Sequence, residues 1–167
     1  MISSKDGTNN VEGDLETWLS KAHKVVIAGL GNPLRKDDSV GINVVRDLQR
    51  KASNNTFLIE CETVPESYIG AIMDFNPTHI LIVDAAVLNL KPGSAKLIDP
   101  DQLANQPAIS THALPLQIFC MYLAETTGAK IAILAIQPED TSFGEGLTRK
   151  VEKTAKHISN LLLNCLP

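Results

Sequence analysis

Apolar positions along the chain switch repeatedly between short continuous runs and recurrences every three or four residues, and each switch marks an element. Leu15, Trp18, Leu19 and Ala22 recur at helical spacing and predict a short amphipathic helix docked by one face. Val25-Val26-Ile27-Ala28 is a β-rich run ending in Gly29, and Val40, Val44, Val45 and Leu48 then follow at helical spacing. Together these predict strand, loop, helix. The alternation continues with a strand over 57–61, a helix over about 66–75, strands over 80–83 and 95–98, a helix over about 114–123 and a strand over 131–136. A long last helix follows, its buried stripe being Leu147, Val151, Ala155, Ile158 and Leu162.

Runs that are apolar at successive positions suit strands covered on both faces, and their alternation with amphipathic helices implies an α/β fold. The expected architecture is a three-layer sandwich, a mostly parallel twisted sheet of about five strands with helices on both faces. The hairpin-like return through Lys91-Pro92-Gly93 to Ala95 predicts one antiparallel strand. Residues 1–13 carry Ser, Asn, Gly and charge with hardly an apolar anchor and predict a flexible tail, which leaves 14–167 as a single domain.

Composition narrows the function classes. The 167 residues are 44% hydrophobic and 20% charged, the balance of one soluble globular domain. Fifteen Lys and Arg against 19 Asp and Glu give a net charge of -4, so no basic field is present to recruit nucleic acid. Apolar runs such as 131–136 are far too short for a membrane span, and the polar N-terminus has no signal core, so a cytoplasmic protein is expected. Cys61, Cys120 and Cys165 are odd in number and form no CxxC pair, which suggests buried small hydrophobes and neither disulfides nor a zinc knuckle.

In open α/β sheets ligands bind beyond the carboxyl ends of the strands, so polar residues just after strands are the candidates. One such place is the loop Gly29-Leu30-Gly31-Asn32-Pro33 through Asp37-Asp38-Ser39-Val40-Gly41. It fails as a dinucleotide fingerprint, because Leu34 stands where the third Gly belongs and the paired acids would repel a pyrophosphate. The plain alternative for either acid is a helix cap. Another is Asp84, a carboxylate at the end of a buried strand, which needs a cation, a metal or several donors. The third is His112 in Ser110-Thr111-His112-Ala113-Leu114-Pro115-Leu116, beside a helix start that favours neutral imidazole. Two carboxylates and an imidazole suit Ni, Zn, Mn or Cd with coordination positions left open. No HExxH, no GxSxG and no Cys beside a suitable His offers a familiar hydrolase template.

These motifs, with Pro65-Glu66, Ile82-Val83-Asp84-Ala85, Gln137-Pro138 and Phe143-Gly144-x-Gly146-Leu147-Thr148, resemble the hydrogenase maturation proteases, and most of all the hydrogenase-3-type branch. The likeness spans about residues 24–162, so residues 1–23 lie outside the family core. It implies an endopeptidase that trims the C-terminus of a nickel-iron hydrogenase large-subunit precursor. It also implies that Asp38, Asp84 and His112 bind metal and recognise nickel already inserted in the precursor, with Zn or Cd able to occupy the same site weakly. Many members carry Glu where this chain has Asp38. Which residue serves the chemical step stays open: Asp38 or Asp84 as general base, or all three only as a metal dock. The resemblance further implies a monomer whose partner is the precursor protein. Two other readings remain: a metal- or nucleotide-binding regulatory domain, and a peptidyl-tRNA hydrolase-like esterase. The latter shares Gly29-Leu30-Gly31-Asn32-Pro33 but has a His-containing continuation that is missing here.

Overall fold

The structure, a computed structural model, describes residues 10–105 and 116–167. Its centre is one sheet of β1 (Val25–Leu30), β2 (Thr56–Glu62), β3 (His79–Ala85), β4 (Ala95–Ile98) and β5 (Lys130–Ile136), ordered β2-β1-β3-β5-β4. The first four in that order run parallel, and β4 closes an edge antiparallel to β5. The inner strands β1, β3 and β5 are largely continuous apolar runs because they are covered on both sides, all six residues of β1 being buried, whereas the edge strand β2 buries only Ile59 and Cys61.

Alternation divides the core in two. Val26, Ala28 and Leu30 of β1, with Ile80 and Ile82 of β3, face α3 (Ile69–Phe75) and α4 (Leu116–Thr127), where Ile72, Phe119, Cys120 and Leu123 meet them. Val25, Ile27, Leu81 and Val83 face α1 (Val11–Leu19), α2 (Val40–Leu48) and α5 (Arg149–Cys165). The predicted stripe of the last helix is buried as expected at Val151, Ala155, Ile158 and Leu162, while Leu147 packs from just before the helix.

Several boundaries differ from the sequence reading, each for a local reason. The first helix starts at Val11, because the Asn10 side chain accepts the Gly13 backbone N–H at 3.0 Å and caps it. The boundary set at Gly13 therefore falls inside a helix, and residues 1–9 lie outside the described residues. The helix expected over 66–75 opens as a 3-10 turn, Pro65–Tyr68, before α3.

The strand order defines the position that matters. From β1 the chain passes through α2 on one face to β2. It then crosses β1 through α3 on the other face to reach β3. The connections on the two sides of β1 part at the carboxyl ends of β1 and β3, the topological switch point where open α/β sheets hold ligands.

Candidate functional site at the switch point

Two glycines shape the loop that leaves β1. Gly31 has φ +131°, and a Cβ there would overlap the carbonyl oxygen of Asp38, so the loop folds back on itself only with Gly at this position. At Gly41 a Cβ would overlap the carbonyl oxygen of Val83 and crowd the backbone of Leu30. The first turn of α2 is thereby seated directly on the ends of β1 and β3, one residue from Asp84. Between the glycines the chain forms a 3-10 turn, Lys36–Ser39, that carries both acids and contacts β3.

The paired acids have different surroundings. Asp38 is half-buried, and its Oδ2 accepts the Asn32 backbone N–H at 2.8 Å, while the Asn32 side chain accepts the Leu34 N–H at 2.9 Å. Asp37 is fully buried and faces the loop after β5. Its carboxylate accepts the backbone N–H groups of Glu139, Asp140 and Thr148 at 2.9, 3.0 and 2.7 Å, and the Thr148 hydroxyl at 2.8 Å. Neither acid caps a helix by its own side chain, since the 3-10 turn and α2 both begin without a side-chain cap. Asp37 is instead a clasp joining two loops a hundred residues apart in sequence, and this displaces the helix-cap reading.

Further bonds tighten the clasp. Lys36 Nζ lies 2.8 Å from Asp140 Oδ2, which, with hydrogen bonds from Ser142, holds the Asp140 carboxyl well below the usual carboxylate range. The Lys36 N–H donates to the Gly144 carbonyl, and the Gly144 N–H donates to Leu34. Gln137 serves the neighbouring loop: its Oε1 accepts the Leu88 N–H at 2.6 Å and fixes the chain that follows Asp84. The Gln-Pro and Phe-Gly elements are thus the scaffolding of the switch point. Their partners lie far off in sequence, so only the residue types were visible there, not these roles.

Asp84 is the next-to-last residue of β3 and 2% exposed. Asp38 and Asp84 therefore stand on the two elements that Gly41 brings together. His112 lies outside the described residues, and among the described residues no three His, Cys, Asp or Glu side chains gather as a metal site. The donor chemistry of the two carboxylates fits a borderline divalent ion that brings further ligands of its own. Among the described residues no helix is long and apolar enough to cross a membrane.

Comparison with known proteins identifies the family. The HycI hydrogenase maturation protease family model matches residues 42–165. The chain belongs to the hydrogenase maturation protease family. It is 31% identical to the hydrogenase 3 maturation protease of Escherichia coli over 133 residues, 80% of this chain and 85% of that one. A Methanocaldococcus jannaschii protein assigned to the same family is 36% identical over 156 residues, 89% of this chain and 91% of that one. The crystal structure of a [NiFe] hydrogenase maturation protease from Thermococcus kodakarensis superposes with TM-score 0.86 at 32% identity, covering 92% of this chain and 98% of that one. As a member of the family the protein is a maturation endopeptidase, which sets aside the regulatory-domain and peptidyl-tRNA hydrolase readings.

Proposed function

We propose that this endopeptidase removes the C-terminal extension of a nickel-iron hydrogenase large-subunit precursor in the cytoplasm, after nickel has been inserted. Asp38, Asp84 and His112 are its recognition set, offering two carboxylates and an imidazole to the nickel carried by the substrate. The observation that supports this most directly is the seating of Gly41 on Val83, which draws the Asp38 turn against the end of β3 at the switch point. A family member with two acids so held has the ligand types to complete a metal that arrives already partly coordinated. Zn or Cd would occupy the same residues weakly.

Hydrolysis requires a water to lose a proton as its oxygen bonds the scissile carbonyl carbon, and the departing amine nitrogen to gain one. Asp38 and Asp84 both have the residue type for that proton transfer, the alternative being that the three residues dock the metal and so hold the scissile bond in place. The test compares one precursor before and after nickel loading, with purified protein and an electrophoretic readout. Processing of the loaded form alone is expected, with none of short peptides. Equal processing of loaded and empty precursor would show that the metal is not the gate.

A further inference from the structure

The switch-point edge carries an apolar surface that neither the core nor the acids account for. Each of the four parallel strands is followed by one exposed large apolar residue: Val64 after β2, Leu34 after β1, Val87 after β3 and Phe143 after β5. Phe143 stands out at 81% exposed. An aromatic ring left in water on a mobile loop would be unremarkable, but this loop is pinned on both sides. Ser142 is bonded to Asp140 through both its N–H and its hydroxyl, and Gly144 is bonded to Leu34 and Lys36. Asp37 holds the same loop from beneath at residues 139, 140 and 148. The fold therefore invests a buried carboxylate and a salt bridge in presenting an exposed ring, which is the condition of a preorganised interface anchor.

We infer that Phe143, with Val87 and Leu34, forms a docking rim for a basic, apolar stretch of the precursor protein next to its scissile bond. This deepens the reading under Proposed function and rests on it. Position argues for the precursor, because all these residues lie at the edge that holds Asp38 and Asp84. Charge indicates which part of it docks. Exposed carboxylates are in excess at this edge: Glu62 at the end of β2, with Glu66, Glu139 and Glu145 in the segments that follow β2 and β5, stand against the exposed cations Arg35, whose Nε donates to the Thr141 carbonyl, and Lys91, while Lys36 is bound to Asp140. An edge of exposed acids and apolar residues complements a segment with Lys or Arg between apolar side chains. A second copy of this chain would bring the same acids face to face and repel.

The test uses the full chain and nickel-loaded precursor, with KM and kcat of processing measured for the parent, Phe143→Ser, Val87→Ser and Glu62→Gln/Glu145→Gln. Loss of an anchor that binds equally before and during reaction should raise KM at least tenfold for Phe143→Ser, with kcat within about twofold and an unchanged melting temperature. KM should rise with salt, and less steeply in the double Gln variant. Met121→Ser, an exposed apolar residue on α4, is the control and should leave KM unchanged. Unaltered KM in Phe143→Ser, or a rise confined to Met121→Ser, would overturn the rim while leaving the proteolytic reading intact. So would a dimer in sedimentation that Phe143→Ser dissolves. A parent protein that neither binds nor processes any precursor would instead remove the proposed function, and the rim with it.

Discussion

At the residue scale, the adjacent acids Asp37 and Asp38 are separated by what their oxygens meet. Asp37 satisfies three backbone N–H groups and a hydroxyl in a fully buried setting, so its removal strands buried donors. Asp37→Ala is expected to cost about 2–4 kcal/mol of stability. Asp37→Asn keeps acceptor capacity on one oxygen and should melt several degrees lower while retaining measurable processing. Under the proposed function, Asp38→Asn, Asp84→Asn and His112→Ala should each abolish processing with the fold preserved, since each would remove one donor to the substrate's nickel. Circular dichroism melts and a precursor assay, run on all five variants, separate the two classes. A dead Asp37→Asn beside an active Asp38→Asn would reverse the assignment within the pair. The cysteines provide a second check at this scale. Burial, the larger cause, pushes the Cys61 and Cys120 thiols up to about 12, with Glu66 and Asp99 adding to it in turn. The folded state therefore keeps protons that the unfolded chain releases near the ordinary thiol value of 9.0, and stability should fall as pH rises from about 9 toward 12. In the native protein at pH 8, a thiol reagent should modify half-buried Cys165 alone, and all three cysteines after denaturation.

At the scale of elements, what was legible in the sequence follows from how local its cause is. The inner parallel strands were readable because burial on both faces leaves nearly uninterrupted apolar runs, and β4 was readable as antiparallel from its turn at Lys91-Pro92-Gly93. That β4 pairs with β5, a strand not yet reached along the chain, was not readable, because the pairing depends on which edge of the finished sheet is open. The candidate acids were legible as residues following strands. The division of labour between Asp37 and Asp38 was not, since Asp37's partners sit more than a hundred positions away. Helix α1 was legible from Leu15, Trp18 and Leu19, yet its start depended on one side-chain cap at Asn10. Its docking leads to a further expectation. The Trp18 ring meets the His79 ring edge-on, with centroids 5.0 Å apart, at the buried start of β3. Desolvation there, reinforced by Lys130 and, against an opposing hydrogen bond to the Trp18 backbone, by His23, lowers the His79 pKa below the ordinary imidazole value of 6.5. The unfolded chain then takes up a proton that the folded state resists, so this contribution to stability is present above pH 6.5 and is lost as pH falls below it. Trp18 is the sole tryptophan, so its fluorescence reports the contact directly. Its emission should shift to the red below pH 6.5, and His79→Gln should flatten that response.

For the whole molecule, the question is whether the enzyme owns its metal or borrows it. The sheet's switch point supplies Asp38 and Asp84 from two elements locked together by Gly41, and the proposed third donor is His112. Three donors, two of them carboxylates, are fewer and harder than the closed four-ligand or thiolate-rich sites that hold an ion through purification. Under the proposed function the remaining coordination would come from the precursor, and affinity for the loaded substrate would exceed that for the empty one by what these three residues add to the nickel. The surrounding architecture is consistent with recognising a whole folded protein: the loops are clasped by Asp37 and Gln137, and they present apolar residues outward. The isolated protein should therefore emerge largely metal-free from a purification without chelator, bind added Ni, Zn or Cd weakly, and process loaded precursor without any added ion. Metal analysis of the purified protein, followed by that processing assay, reads both halves of the expectation. A stoichiometric, tightly held ion whose removal stops processing and whose return restores it would make the protein a metallohydrolase with its own cofactor, and the gate would then have to lie in the docking surface instead of the substrate's nickel.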